Sequence, residues 1–175
     1  MVKVLLDKCE GQKLRESVLL AIYLGHTQIA ELILKHPKYK IFEANQSTDS
    51  FWESSTSEDA QFPHDITPLI LAAQYKRTEI VQMLLLKGER IIKPHDLNCK
   101  CNECLSKFKF DSLRNAQSRL NIYRGISSES YISLASMDPI QTSFELAREL
   151  RHLANSQRYF KVNLILNYLK ETYTS

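Results

Sequence analysis

The chain has 175 residues, 43% of them hydrophobic and 25% charged, the balance of an ordinary globular protein with one core and not of a disordered or fibrous one. Its net charge of +3 comes from 23 Lys and Arg against 20 Asp and Glu, and the bases are scattered instead of interleaved with stacking aromatics, which argues against nucleic-acid binding. Four cysteines, three of them clustered too closely to staple distant segments, point to a reducing compartment.

Nothing in the chain reads as an export signal or a membrane span. Lys3 and Asp7 interrupt the first apolar residues too early for a signal peptide, and no run of about 18 apolar residues follows. The sequence is that of a cytosolic segment.

The first informative pattern is internal. Residues Val18 to Lys35 align without gaps on Leu69 to Leu86, an offset of 51 residues, so one helix-turn-helix is present twice. A truncated third copy starts the chain, where Met1 to Lys8 match Ile80 to Lys87; the chain is expected to begin inside a repeat. Thr67-Pro68-Leu69-Ile70-Leu71-Ala72 fits the ankyrin signature except that Ile70 stands where a His belongs. Thr67 suits a helix cap and Pro68 the first turn, where no intrahelical N–H is needed. Ala72 and Ala73 allow close helix packing, and Ile80, Val81, Leu84 and Leu85 give the second helix an apolar face at helical spacing. The earlier copy is more divergent, with Glu16 and Ser17 in place of Thr-Pro.

An ankyrin period is about 33 residues, so the offset implies an insertion of about 18, and residues 38–64 read as an acidic loop. Residues 41–64 carry Glu43, Asp49, Glu53, Glu58 and Asp59 and no Lys or Arg, with Phe51-Trp52 their one large apolar step. A solvated loop is the plain reading; a docking or phosphorylation segment is the sharper one.

After the second repeat, His95, Cys99, Cys101 and Cys104 fall within ten residues. One imidazole and three thiolates make the closed tetrahedral shell of a structural zinc site, with no position left open for catalysis. Pro94 stiffens the approach, and Lys93, Lys100 and Lys107 would offset the negative charge of three thiolates on one Zn²⁺. A free-thiol loop and a redox pair are the alternatives. Beyond it the pattern stays helical without repeating. Asp111-Ser112 can cap a helix carrying Leu113, Ala116, Leu120 and Tyr123, which Gly125 ends, and Asp138-Pro139 opens another with Ile140, Phe144, Ala147, Leu150 and Ala154 on one stripe. An amphipathic stretch from Val162 to Leu169 follows.

In order along the chain, Asp65 to Ala73, Pro94-His95-Asp96, Cys99-x-Cys101-x-x-Cys104, Asp111-Ser112-Leu113, Ser118 to Tyr123, Ser127 to Leu134 and Asp138-Pro139-Ile140 resemble the cytoplasmic N-terminal region of TRPC-type transient receptor potential cation channels. Residues 1–161 are covered. Ile33 to Pro37, Tyr123-Arg124-Gly125 and Leu150 to Asn155 look closest to that family's diacylglycerol-sensitive branch. The resemblance implies an all-α fold: ankyrin repeats over 1–92, a Cys/His zinc loop over 93–107, linker helices over 108–161, and a divergent tail over 162–175. It places His95, Cys99, Cys101 and Cys104 on the family's zinc positions. It further implies tetrameric, Ca²⁺-permeable, poorly selective channels whose ankyrin region joins in subunit assembly and binds cytosolic regulatory proteins. No pore segment follows here, so the chain reads as a partial or truncated product and cannot conduct alone.

The leading expectation is therefore the assembly and regulatory region of a cation channel at the cytosolic face of the membrane, held by structural zinc. The alternative is a free-standing ankyrin adaptor that binds a protein partner. An enzyme is a distant third, because the five His are scattered, Gly numbers four, and no nucleophile-base pair or phosphate-cradling loop is present.

Overall fold

In the computed structural model, which describes Cys9 and residues 11–45, 61–96 and 99–156, every regular element is a helix. Helix α1 (Gly11–Leu24) and α2 (Thr27–Leu34) form the first hairpin, followed by α3 (Pro37–Asn45). Helices α4 (Pro68–Gln74) and α5 (Thr78–Leu86) form the second. Four helices come after the Cys/His loop: α6 (Asn102–Phe110), α7 (Ser112–Ile126), α8 (Glu129–Ala135) and α9 (Pro139–Ser156).

The signature residues act as their chemistry requires. The Thr67 hydroxyl accepts the Ile70 N–H at 3.2 Å, and Pro68 occupies the first turn of α4, so one orphan donor is satisfied and another is removed. Helix α1 packs on α4 and α2 on α5. Between them Leu14, Val18, Leu19, Ile22, Ala72, Ala73, Ile80, Val81 and Leu84 are almost wholly excluded from solvent. The larger aliphatics among these contribute about 1.5–3 kcal/mol each.

Hydrogen bonds to helix ends stitch one hairpin to the next. Arg77 donates from Nε to the Ile22 carbonyl at 3.3 Å and from Nη2 to the Tyr23 carbonyl at 3.1 Å, and Lys87 donates to the Leu34 carbonyl at 3.2 Å. Basic side chains thus serve carbonyls in the last turns of α1 and α2, of which that of Ile22 also accepts the Gly25 N–H at 3.1 Å. Gly25, at φ +81°, lies under the Arg77 guanidinium, 2.9 Å from where a Cβ would stand; a side chain there would be strained and would displace the clamp. At the equivalent turn of the second hairpin Lys76 takes φ +53°.

Stacking continues where the sequence repeat stops. Helix α7 packs on α4 and α8 on α5, so the α7–α8 pair occupies the place of a third hairpin, and α9 covers it through Leu146, Leu150 and Leu153 against Leu120, Tyr123 and Ile126. Gly125 does not end α7, as its position suggested, but lies inside it. A Cβ there would come within 3.0 Å of Ile91 Cδ1 and 3.5 Å of the Ile70 Cα. Glycine lets α7 approach α4, and Ile70, buried where the signature would have a His, supplies the apolar counterface.

Three further expectations change. The stretch read as a loop over 38–64 begins with helix: Pro37 starts α3, and Tyr39 is buried against the first hairpin, an apolar anchor that the acidic composition masks. Residues 46–60, with Phe51-Trp52, lie outside the described residues, as do the expected partial repeat at 1–8 and the tail after Ser156. On α9 the expected apolar stripe is buried only in its second half, at Leu150 and Ala154. Ile140 and Phe144 are 72% and 74% exposed, while Leu146, Leu150, Leu153 and Ala154 are buried, because that register lets Glu149 meet Tyr123 and Lys93. Leu113, expected on the inner stripe of α7, is also exposed.

Between α3 and the end of α5, burial and repulsion from Glu43 push the Glu89 carboxyl up to about 7, against an opposing effect of Lys87. A carboxyl whose folded pKa is raised penalises the fold above that pKa and ceases to do so below the unfolded value. Lowering the pH from 8 to 6.5 should therefore raise the melting temperature through Glu89. Below that, His64, whose imidazole burial and nearby Arg15 hold below its ordinary value, works in the opposite sense. Glu89→Gln should be more stable than the parent at pH 8, by a margin that shrinks toward pH 6.5; parallel melting profiles for the two proteins would refute this assignment.

Candidate metal centre

The segment between α5 and α6 runs over the seam between the two apolar clusters. Ile91 packs against both, and its backbone N–H donates to the Tyr131 hydroxyl at 3.1 Å. Two residues on, the Lys93 ammonium pairs with Glu149 Oε2, whose other oxygen accepts from the buried Tyr123 hydroxyl at 2.9 Å. One carboxylate thereby ties the loop, α7 and α9 together. Burial, then the Glu149 contact, raises the Tyr123 phenol above its usual range, so it remains a neutral donor. Pro94, with its fixed φ, then directs the chain into His95.

His95, Cys99, Cys101 and Cys104 converge. Their ligand atoms all lie within 4.8 Å of one another. The His95 Nδ1 is 3.7 Å from Cys99 Sγ, 3.4 Å from Cys101 Sγ and 3.4 Å from Cys104 Sγ. A tetrahedral zinc with Zn–S near 2.3 Å and Zn–N near 2.0–2.1 Å requires N···S separations of roughly 3.5–3.6 Å, so the residues present fit the ion. The cluster is able to coordinate a metal, and the donor set is the soft one that selects zinc over magnesium or calcium. All four sequence-predicted ligands are in it, and among the described residues no other group of His, Cys, Asp and Glu meets the same test.

Local structure explains the spacing. Cys101, in extended backbone, is the N-cap of α6, and its sulfur accepts the Cys104 N–H at 3.4 Å. Within the first turn of the helix, Cys104 then returns toward Cys101. The helix N-terminus carries partial positive charge, and that backbone N–H, followed by contacts from Cys104 and His95, lowers the Cys101 thiol to about 6. Burial and the neighbouring sulfurs push the Cys104 thiol up. One sulfur is thus readily anionic, while its neighbour resists a second negative charge beside it.

Two of the three lysines expected to neutralise the site are engaged elsewhere: Lys93 with Glu149, and Lys107 with Glu103 one helical turn away. Lys100, exposed between two of the cysteines, is the remaining candidate. Sequence reasoning also missed Asn121. Its Nδ2 donates to Asp65 at 2.9 Å, and its carbonyl accepts from Gln74 at 2.9 Å, so it joins α7 to the second repeat. Its neighbours on that face of α7 are Gln117, Ser118 and Gly125, which form no apolar stripe, so periodicity carried no signal for it.

Comparison with known proteins agrees with this layout. The ankyrin repeat family matches residues 64–100, and the family described as transient receptor ion channel II matches residues 99–161; the two meet inside the Cys/His loop. The chain is 40% identical over 169 residues to short transient receptor potential channel 3 of Homo sapiens, covering 92% of this chain and 18% of that protein. It is 47% identical over 110 residues to transient receptor potential-gamma protein of Drosophila melanogaster, covering 63% and 10%. With short transient receptor potential channel 2 of Rattus norvegicus it shares 35% over 191 residues, covering 91% and 16%. The chain spans less than a fifth of the length of these relatives, and among the described residues no helix is long and apolar enough to cross a membrane. The similarity is to ion channels and not to enzymes. The chain is a transient receptor potential family region, ankyrin repeats followed by linker helices, homologous to the short transient receptor potential channels.

Proposed function

We propose that this chain is the cytosolic assembly and regulatory region of a Ca²⁺-permeable, non-selective cation channel, with receptor- or store-operated gating. The single observation that carries the proposal is the continuous stack: ankyrin hairpins, a metal-competent loop and linker helices share one apolar seam at Ile91, in the order of the matched families. Its parts are ankyrin repeats to residue 92, the loop over 93–107, linker helices over 108–161 and a distinct tail over 162–175.

In this reading His95, Cys99, Cys101 and Cys104 hold one structural zinc, which fixes the second ankyrin hairpin against α7 and α9. The partners are other channel subunits, in homo- or hetero-tetramers, together with cytosolic regulatory proteins. Identity to short transient receptor potential channel 3 over most of the chain supports assignment to the diacylglycerol-sensitive branch.

The test is co-expression with that channel's subunits. The chain should co-purify with them and depress their calcium entry by occupying subunit contacts without contributing a pore. Failure to associate under conditions where the channel's own N-terminal region does would overturn the proposal and favour a free-standing adaptor.

A further inference from the structure

Three of the four residues able to hold a metal ion form one local unit, and the fourth does not. Cys101 caps α6, Cys104 returns to it within the first turn, and Cys99 stands two residues before Cys101. The helix start itself sets their spacing. His95 comes from the other side, near the end of the non-helical segment 89–96, so its place in the cluster depends on what holds that segment.

Alternate residues of the segment are engaged, as extended backbone allows. Ile91 packs against both apolar clusters and donates its N–H to the Tyr131 hydroxyl, Ile92 is 83% exposed, and Lys93 pairs with Glu149. Lys93 is the last anchored residue before His95, which follows about 6–7 Å along the chain. Pro94 between them has a fixed φ, so a displacement of Lys93 is carried to the imidazole instead of being absorbed. An exposed Lys–Glu pair alone positions little, because ordering two long side chains costs entropy and water screens the charge. Here the carboxylate is held from behind. Its other oxygen accepts from the Tyr123 hydroxyl at 2.9 Å, and Tyr123, 2% exposed, belongs to the apolar cluster that seats Leu146, Leu150 and Leu153 of α9.

We propose that Glu149 is the positioning residue of the metal-competent cluster: through Lys93 it holds His95 in register with the three cysteines, and so couples metal binding to the docking of α9 on α7. The inference rests on the structural-zinc reading above and adds what regulates that site. Linkage makes the coupling reciprocal, so that whatever factor the docked α9 adds to zinc affinity, loading the site adds to the docking of α9. A helix that supplies none of the four residues thereby responds to whether the site is filled.

The test is the zinc affinity of the full chain, measured by competition with a chromophoric chelator. Glu149→Gln retains an acceptor for Tyr123 and removes the charge that Lys93 meets; Lys93→Met removes the other partner. Each should lower zinc affinity about three- to tenfold, less than the roughly 10–100-fold typical of groups bonded directly to a metal ligand. The double variant should bind no more weakly than either single one, since both remove the same contact, and the charge swap of Lys93→Glu with Glu149→Lys should recover most of the loss. Leu19→Ala, in the core of the first hairpin, should lower the melting temperature and leave zinc affinity unchanged, which separates positioning from stability. Hydrogen exchange gives the reciprocal readout: added zinc should slow α9 in the parent and not in Lys93→Met. Parental affinity in both single variants, or an α9 whose exchange ignores zinc in the parent, would overturn the positioning role and leave structural zinc standing. Additive losses without recovery in the charge swap would overturn it as well. So would a gain in affinity, which would show that Lys93, once released, neutralises the thiolates. A parent chain that binds no zinc removes the zinc reading and this inference together.

Discussion

Cys101→Ser is expected to release the metal and lower the melting temperature well beyond the effect of an ordinary surface substitution. Cys101 is one of four converging residues able to hold a metal ion, and its sulfur also caps α6 by accepting the Cys104 N–H. Serine is itself a favoured N-cap, so the substitution retains the cap and removes the thiolate. The loss can therefore be assigned to the metal. Structural zinc in small zinc peptides binds with about 10–16 kcal/mol of apparent free energy, whereas a whole domain is stable by about 5–15 kcal/mol. Retention of even a third of that energy across the loop would decide whether the junction stays closed. Elemental analysis should find about one zinc per chain in the parent protein and none in a His95→Ala, Cys104→Ser double variant. Hydrogen exchange should then quicken first in α6 and in residues 91–96, since Ile91, Lys93 and His95 anchor that segment in succession. Unchanged metal content and unchanged melting in Cys101→Ser would sink the zinc assignment and leave a Cys-rich loop of other purpose.

The parts of this fold that are legible in the sequence are those in which a local rule has little competition. Thr67-Pro68 opens a helix in almost any context, the two copies of the hairpin share their apolar spacing, and four metal-type ligands within ten residues rarely arise from composition alone. Asp111 caps α7 by accepting the Arg114 N–H at 2.9 Å, and Asp138 caps α9 by accepting that of Gln141 at 2.9 Å, both as their side-chain chemistry predicts. Where tertiary contacts compete, local reasoning fails. Gly125 reads as a helix terminator because glycine usually ends helices, yet its lack of a Cβ serves the approach of α7 to α4. The α9 stripe reads correctly at Leu150 and Ala154, which are buried, and fails at Ile140 and Phe144, which are exposed, because periodicity locates an apolar face only where the helix is covered. Here Ile140 and Phe144 in the first turns of α9 are exposed, and the Glu149 contact sets the register. The α7–α8 pair carries no repeat signal because a stacked position requires only shape and an apolar face, which many sequences can supply.

Arg15→Met should destabilise the fold by roughly 3 kcal/mol or more, although Arg15 lies in no motif. The residue is 6% exposed, and a single terminal nitrogen, Nη2, donates to the carbonyls of Pro63, His64 and Ile66 at 2.9, 3.1 and 3.0 Å. The other, Nη1, meets Glu16 at 3.2 Å. Burial lowers the guanidinium pKa, with Glu16 opposing, but a group that starts above 12 remains cationic throughout the accessible range. Methionine preserves much of the aliphatic packing and deletes every donor. Hydrogen bonds to charged groups are worth about 1.5–3 kcal/mol each, and a carbonyl left buried without a partner adds its own desolvation cost. Because the three bonds converge on one turn and are not independent, their summed worth is an upper limit and a value near that of one or two bonds is expected. Lysine retains the charge but not the planar fork, so Arg15→Lys should fall between the parent and Arg15→Met in urea unfolding. The turn held by Arg15 leads into Thr67 and α4, and Ile66 N–H is bonded back to Pro63. Loss of the clamp should therefore speed hydrogen exchange at 62–66 before it affects α7 or the metal loop. A variant with parental urea midpoint, or one in which the metal loop loosens first, would show that α4 is positioned by its packing alone and that the buried arginine is incidental to the closure of the insertion.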